Sequence, residues 1–217
     1  MKSLKIDNKQ YFIHKNDIPS DFDIGKSIAI DTETTGLSLN RDRLCVLQMS
    51  GNIDECHLVK FDADLFKKGL SPKNLINLLN NQEIEKIFHF ARFDLAMIKK
   101  FLNLDCKNVF CTKIASKLVR TYTDKHGLKD LCKELLEIDL NKTQQSSDWS
   151  NQELSNNQIK YAASDVLYLN DLKQILIKML KREDRYDLAL DIFNFLETRV
   201  KLDLLGWDQN DIFSHGQ

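Results

Sequence analysis

Two acidic residues, Asp31 and Glu33, lie two positions apart in the segment AIDTETTGL at residues 29–37. The residues before them, Ser27-Ile28-Ala29-Ile30, have the apolar character of a buried β-strand. Because alternate residues of a strand point to the same face, the two carboxylates should project side by side. Adjacent carboxylates repel unless they share a proton or bind a divalent cation such as Mg²⁺ or Mn²⁺. The pair therefore indicates one of these two chemistries, against the alternative of a solvated surface pair.

Two further carboxylates occupy comparable positions. Asp94 follows the predicted strand at 86–90, near the strand end where open α/β sheets place their sites. Its alternative role is a favourable charge at a helix N-terminus. Asp165 lies four residues after Tyr161 in the predicted helix 156–181, so the phenol and the carboxylate share one face beside an apolar stripe. A polar pair beside a buried stripe needs a partner, which favours a site there.

The elements that must position these side chains can be predicted from pattern. Short strands are predicted at 11–13, 27–33, 44–49, 56–59 and 86–90. Helices are predicted from Ser71-Pro72 onward, across 95–98, and at 113–120, 127–137, 156–181 and 184–203. The first four strands could pair as a meander. Strands early in the chain and helices later predict an α/β fold in which helices sandwich a sheet.

The composition favours a single cytoplasmic domain. The chain has 217 residues, 42% of them hydrophobic, which suffices for one ordinary core. No apolar run approaches the roughly 18 residues of a membrane span, and the N-terminal residues lack the apolar stretch of a signal peptide. The odd number of cysteines, five without a C-x-x-C spacing, argues against a disulfide framework and a zinc site. We expect reduced, mostly packed thiols.

The charge balance limits how the protein can bind nucleic acid. Lysine and arginine total 31 against 32 aspartates and glutamates, a formal net charge of -1. Proteins that track along nucleic acid usually carry a basic surplus that displaces counterions from phosphates. If the substrate is a nucleic acid, the sequence predicts few phosphate contacts.

The order Asp-x-Glu, Asp, Tyr-x-x-x-Asp resembles the DEDD superfamily of 3'-5' exonucleases. Tyr161 four residues before Asp165 indicates the tyrosine-bearing (DEDDy) branch, because the sister branch has a histidine five residues before the aspartate and Lys160 stands there. The stretch HGLKDLCKELLEIDLNKTQQSSDW at 126–149, followed by YAASDVLYL, resembles ribonuclease D. The segments RDRLCVLQMS, KIFHFARFDLAMI, VFCTKIASKLVRTYTDKHGLK and LDLLGWDQNDIFSH resemble the compact nanoRNase C group of that family.

The resemblance implies a ribonuclease H-like (DnaQ-like exonuclease) fold, with a mixed central sheet flanked by helices. It also implies that residues 1–217 form one exonuclease domain without the helical nucleic-acid-binding domains of ribonuclease D. Two divalent cations, Mg²⁺ or Mn²⁺, would be held by four carboxylates. Asp31, Glu33 and Asp165 would bind the first ion, and Asp31 would bridge to the second with support from Asp94. Tyr161 would orient or help deprotonate the attacking water.

Three further residues are implied as substrate contacts. The backbone near Thr34 would meet the terminal sugar, and Leu37 would wedge between the last two bases. His89 would lie near the scissile phosphate; the alternative is a hydrogen-bonded histidine at a strand end.

The resemblance further implies hydrolysis of very short RNA, above all 5'-phosphorylated dinucleotides, to mononucleotides. Trimming of longer RNA, a DNA exonuclease and a non-catalytic binding protein are the alternatives. The four carboxylates and the tyrosine speak against the last. Relatives of this group form rings of eight subunits, which implies a homo-octamer without a membrane partner. The apolar segment 193–207 either packs on the core or forms the interface.

Overall fold

A seven-stranded mixed sheet forms the centre of the computed structural model, which describes residues 1–140 and 147–215. Part of the predicted motif at 126–149 therefore lies outside the described residues. The strands are β1 (Lys2–Ile6), β2 (Lys9–Lys15), β3 (Ser27–Thr34), β4 (Leu44–Ser50), β5 (Glu55–Lys60), β6 (Glu85–Phe88) and β7 (Val109–Cys111). They are ordered β1-β2-β5-β4-β3-β6-β7.

The strand pairing confirms the predicted fold class and corrects one detail. Strands β3, β4 and β5 form an antiparallel meander as predicted. The prediction is wrong for β2, which pairs in parallel with β5 on the far side of β4. A meander would put β2 beside β3, but the connection at 16–26 carries the chain past two strand positions. Parallel pairing of β6 with both β3 and β7 completes the mixed sheet.

Seven α-helices are described around this sheet. They are α1 (Lys73–Asn80), α2 (Ala91–Leu102), α3 (Thr112–Val119), α4 (Leu128–Leu136), α5 (Asn156–Ser164), α6 (Leu169–Arg182) and α7 (Tyr186–Leu202), and a π-helical turn at Asp203–Trp207 follows α7. No helix in the described ranges is both long enough and apolar enough to cross a membrane.

The predicted continuous helix 156–181 is interrupted between α5 and α6. The amides of Val166 and Leu167 both donate to the carbonyl of Ala163, which closes the end of α5. The apolar periodicity runs through the break because Val166 and Leu169 stay fully buried. The pattern therefore concealed a turn that redirects the chain at Asp165.

Helix α1 begins one residue later than the Ser71-Pro72 pattern predicts. Pro72 occupies the N-cap position, and its side chain makes no capping hydrogen bond. The carboxylate of Asp17 instead accepts hydrogen bonds from the amides of Asn74 and Leu75, at 3.0 and 2.9 Å. A carboxylate distant in the sequence thus caps this helix.

All five cysteines are free and buried, which confirms the expectation of packed thiols. The core extends along the central strands, where every residue of β4 is buried. Two buried polar residues of β3 and β4, Thr32 and Gln48, face the candidate site described next.

Candidate active site

Strand β3 places Asp31 and Glu33 in the middle of the sheet. The neighbouring strand positions Gln48 opposite Asp31, and the Gln48 amide donates to Asp31 Oδ2 at 2.6 Å. The register between β3 and β4 shifts between Glu33 and Thr34. An irregularity in the pairing thus follows directly after the second carboxylate, and pairing resumes between Thr34 and Leu44 before the turn.

Asp165 joins these two carboxylates from α5, whose C-cap it forms. One side-chain oxygen each of Asp31, Glu33 and Asp165 lies within 4.8 Å of the others. The break between α5 and α6 places Asp165 at a helix end rather than inside a continuous helix. Three converging carboxylate oxygens are the ligands that Mg²⁺ and Mn²⁺ prefer.

Asp94 approaches β3 from the first turn of α2 and is buried. Its Oδ1 accepts hydrogen bonds from the backbone amide of Thr32 at 3.0 Å and from the Thr32 hydroxyl at 2.6 Å. Because Thr32 stands between Asp31 and Glu33, these bonds fix Asp94 beside the strand that carries both. Asp94 is not part of the three-carboxylate group, but its charge contributes to the raised pKa of both Asp31 and Glu33.

Burial and mutual repulsion make ionisation of this cluster costly. Burial, followed by the charge of Asp94, raises the pKa of Asp31 well above its usual range. Burial and then Asp165 raise the pKa of Glu33 to about 9. Burial raises the pKa of Asp94 to about 7, although the hydrogen bonds from Thr32 oppose this shift. A bound cation would offset the repulsion, and protonation is the alternative.

Tyr161 projects into the same site from α5. Its phenol is hydrogen-bonded with Asp165, and burial, followed by the Asp165 charge, raises the pKa of Tyr161. Its ring centroid lies 6.1 Å from that of Trp149, which is 2% exposed. The carbonyl of Trp149 accepts a hydrogen bond from the buried Lys60 ammonium at 2.9 Å. Trp149 therefore packs beneath Tyr161.

The three predicted substrate contacts have different surroundings. His89 Nδ1 lies 2.9 Å from the Thr112 hydroxyl, which itself donates to the carbonyl of Phe88. Nδ1 is therefore the donor, and His89 has the hydrogen bond expected of a histidine at a strand end. The Thr34 hydroxyl donates to the Gly36 carbonyl at 2.5 Å. Leu37 is 84% exposed at the turn that follows β3.

Asp42 holds this turn and was not found from the sequence. Its Oδ2 accepts the amide of Ser38 at 2.9 Å, and its Oδ1 accepts the Thr35 hydroxyl at 3.3 Å. A Cβ on Gly36 would lie 2.5 Å from Asp42 Oδ2, so glycine is required by the close approach of the carboxylate. The Lys100 ammonium donates to the carbonyl of Asn40 at 3.0 Å.

The signals for the missed residues were weak. Asp42 lies between two arginines in the sequence, which is typical of a solvated segment. Gln48 gave a clearer signal, as an amide inside the otherwise apolar run of β4. The contacts of Asp42 cross the turn and the contact of Gln48 crosses the sheet, so no spacing of residues within either segment marks them.

Comparisons with known sequences agree with this geometry. The sequence matches the family described as 3'-5' exonuclease over residues 14–181. Ribonuclease D of Gluconacetobacter diazotrophicus is 34% identical over 160 residues, which cover 74% of this chain and 39% of that protein. The chain thus spans about two fifths of the length of the curated relatives it matches.

Solved structures show likeness over more of the chain. Brucella melitensis NrnC bound to pGG has a TM-score of 0.89 and 48% identity, covering 95% of this chain and 98% of that one. Brucella melitensis NrnC with bound Mg²⁺ has a TM-score of 0.88 and 48% identity, covering 95% and 99%. Escherichia coli RNase D has a TM-score of 0.70, covering 81% and 45%, but at 21% identity it shows the fold alone.

Proposed function

This chain belongs to the 3'-5' exonuclease family, and we propose that it is a metal-dependent exoribonuclease that hydrolyses very short RNA from the 3' end. The family match spans most of the chain. NrnC is the abbreviation of nanoRNase C, so the likeness to Brucella NrnC confirms the predicted resemblance to that compact group. The observation that carries the proposal is the cluster of Asp31, Glu33 and Asp165, whose oxygens lie within 4.8 Å of one another.

The donor set fits hard divalent cations. All the converging ligand atoms are carboxylate oxygens, and burial makes their charges costly without a counterion. Asp31, Glu33 and Asp165 would hold the first ion, while Asp31 together with Asp94 would hold the second. When bound, two such ions supply Lewis acidity and stabilise the attacking and leaving oxygens of a phosphodiester. The Mg²⁺ in the Brucella structure supports a metal of this class.

The remaining residues orient the reaction. Gln48 fixes the carboxylate of Asp31, and Thr32 fixes that of Asp94. Tyr161 is placed by its hydrogen bond to Asp165 to orient a water next to the cluster. A phenol has an ordinary pKa of about 10, so Tyr161 is a poor base at neutral pH and its proposed role is to orient the water rather than to remove its proton. The water oxygen bonds to phosphorus as the bond between phosphorus and the 3' oxygen breaks. The water loses a proton to solvent and the 3' oxygen takes one up, which leaves a 5'-mononucleotide and a new 3' hydroxyl.

The proposed substrate is a 5'-phosphorylated dinucleotide. Leu37 is exposed on the turn after β3, where it can contact a base without reading its identity. Thr34 would meet the terminal sugar, and His89 would lie near the phosphate. A net charge of -1 suits a substrate with few phosphates. The pGG bound to Brucella NrnC supports this length, and trimming of longer RNA is the alternative that the resemblance to ribonuclease D leaves.

The decisive experiment compares initial rates on 5'-labelled RNAs of two to twenty nucleotides with Mg²⁺ or Mn²⁺. We expect a marked preference for the dinucleotide, with mononucleotides as products. Leu37→Ala should weaken dinucleotide binding about tenfold, since base contacts of this kind contribute about 1–3 kcal/mol. Equal rates on RNAs of two, five and ten nucleotides would contradict the length preference. A faster reaction on DNA of equal length would favour the DNA alternative.

We also infer that the chain assembles into a homo-oligomer, an octamer by its resemblance to the group. Phe193 and Leu196 of α7 are buried in the chain's own core. Leu205 and Trp207, at the end of the same segment, are 73% and 44% exposed, and Phe213 beyond the segment is 75% exposed. One part of the segment therefore packs on the core, and the other part is exposed and supports an interface.

The continuous seven-stranded sheet supports a single exonuclease domain over residues 1–217.

A further inference from the structure

A groove of about 250 Å³ is lined by residues of the turn after β3, the start of α2 and the C-terminal segment. Leu37, Phe90, Arg92 and Asp203 are among its lining residues. We propose that this groove, called the base groove below, holds a nucleobase of the bound RNA, and that Phe90 is the aromatic surface on which the base stacks. The inference rests on the proposed function and identifies a substrate contact within it.

The backbone of Phe90 is the first observation. Its φ of 68° and ψ of 46° put it in the left-handed region at the N-cap of α2. That conformation is unfavourable for a bulky residue, and glycine or asparagine is the usual choice. Strained backbone of this kind clusters at functional sites. Retaining phenylalanine there requires a benefit from the ring itself.

Burial does not provide that benefit. Phe90 is 45% exposed, although it lies only four residues before the buried Asp94. A large apolar ring in solvent, on strained backbone, improves neither packing nor helix capping. Contact with a ligand that enters the groove accounts for the ring.

Lys113 is the second observation. Its ammonium lies 4.3 Å from the centroid of the Phe90 ring, within the distance of a cation–π contact. The contact occupies one face of the ring and restrains its orientation. It also places a positive charge next to Phe90, one of the lining residues of the base groove.

Leu37 and Arg92 both line the base groove. Leu37 is 84% exposed and is the residue already proposed as the wedge. Arg92 donates to Asp203 Oδ2 at 2.5 Å, to Asp203 Oδ1 at 2.8 Å and to the Asp208 carbonyl at 2.6 Å. These bonds tie the C-terminal segment to α2 and anchor this part of the lining.

Two lining residues of the base groove lie close in the sequence to residues of the proposed metal site. Leu37 follows Glu33 by four residues, and Phe90 precedes Asp94 by one helical turn. Leu37 and Phe90 are thus close in sequence to Glu33 and Asp94, which the proposed function places at the metal ions. Stacking on Phe90 does not read the base, which agrees with a nuclease of broad sequence tolerance.

The test measures whether Phe90 and a base interact with each other. Dissociation constants are measured with Ca²⁺ in place of Mg²⁺ to suppress turnover. The probes are a 5'-phosphorylated RNA dinucleotide and two analogues that lack the 5' or the 3' base. We expect Phe90→Ala to weaken binding of the intact dinucleotide about tenfold. For the analogue that lacks the stacked base, the dissociation constants of wild type and Phe90→Ala should agree within about twofold.

Two variants separate the ring from its backbone. Phe90→Tyr keeps the ring and should bind like wild type. Phe90→Asn suits the left-handed conformation, so it should unfold at the same or a higher temperature than wild type and still lose binding as Phe90→Ala does. Leu70 is an exposed apolar residue outside the groove, so Leu70→Ala is the matched control and should change neither the unfolding temperature nor the binding.

An equal loss by Phe90→Ala toward the intact RNA and both analogues would overturn the inference, as would no loss at all. A wild-type protein that neither binds nor cleaves any RNA would instead overturn the proposed function. Binding by wild type that is indifferent to Phe90 contradicts only the stacking role.

Discussion

Asp31, Glu33 and Asp165 are held close together by elements far apart in the sequence, at an electrostatic cost to the folded protein. Proteins commonly lose stability where a site concentrates like charges. We expect Asp165→Asn to raise the unfolding temperature in chelator by about 2–4 °C, for a gain on the order of 1 kcal/mol. The variant should also lose the stabilisation that Mg²⁺ or Mn²⁺ gives to wild type.

The comparison is made by thermal unfolding with and without metal. Asp191→Asn, on the exposed surface of α7, serves as the control and should respond to metal as wild type does. An undiminished metal response in Asp165→Asn would show that Asp165 is not a ligand.

Tyr161 is predicted to orient the attacking water rather than to bind metal. Tyr161→Phe removes the hydroxyl and keeps the ring that packs on Trp149, so the fold and the Mn²⁺ affinity should be preserved. Turnover should fall by about a hundredfold, since a misplaced attacking group typically costs a reaction about that much. The measurements are steady-state rates and Mn²⁺ titration, with the partly buried Tyr168→Phe as control. Turnover equal to wild type would show that this role is wrong.

The candidate residues could be predicted from the sequence because acidic residues in apolar segments stand out. Asp31 and Glu33 lie in β3 and Asp94 follows β6, and the pattern predicted both of these strands. Gln48 and Asp42 could not be predicted this way, because their contacts depend on strand register and on how the turn folds back.

Among the elements, the turn after β3 controls where Leu37 points. Gly36 has ordinary backbone angles, but an added Cβ would lie 2.5 Å from Asp42 Oδ2. We therefore expect Gly36→Ala to displace the turn and to weaken dinucleotide binding about as much as Leu37→Ala does.

Gly69→Ala is a suitable control for this turn. Gly69 has a φ of +67° with open space around its Cα, so alanine there strains the backbone without a clash. That variant should lose stability and keep its affinity for the dinucleotide. Unchanged affinity in Gly36→Ala would show that the turn tolerates the displacement or does not position Leu37.

Element boundaries show why pattern alone was insufficient. The stripe of Ala162, Val166, Leu169 and Leu172 is buried as predicted, yet it spans two helices. Burial of one face determines periodicity, and the turn at 165–168 preserves that burial while redirecting the backbone. The parallel pairing of β2 with β5 was also hidden, because a strand's own sequence does not specify its neighbour.

For the whole molecule, a buried histidine pair predicts a dependence of stability on pH. His14 Nε2 and His57 Nδ1 lie 3.1 Å apart, and burial lowers the pKa of each to about 4. Below pH 6.5 the unfolded chain binds protons that the folded chain rejects, so stability is lost as the pH falls from 6.5 toward 4. The expected loss is on the order of 3 kcal/mol for one such group.

Urea unfolding of wild type at several pH values is compared with a variant carrying both His14→Leu and His57→Leu. The variant should lose less stability over this pH range, whatever its stability at neutral pH. His215→Asn, at an exposed position, should follow wild type. If the free energy of unfolding fell equally with pH in wild type and in the double variant, the assignment of this pH dependence to the histidine pair would be wrong.

Assembly is the property of the whole molecule that a single chain specifies least, because the number of copies depends on the angle between interfaces. The exposed side chains of Leu205 and Trp207 flank the kink at Gly206, whose φ is 104°. We expect light scattering at micromolar concentration to give a mass near eight times 25.3 kDa. Leu205→Asp would place a charge in the interface and should shift the protein to smaller species, while Leu70→Asp should not. A wild-type protein of 25.3 kDa would refute the oligomer, and an intact assembly in Leu205→Asp would place the interface elsewhere.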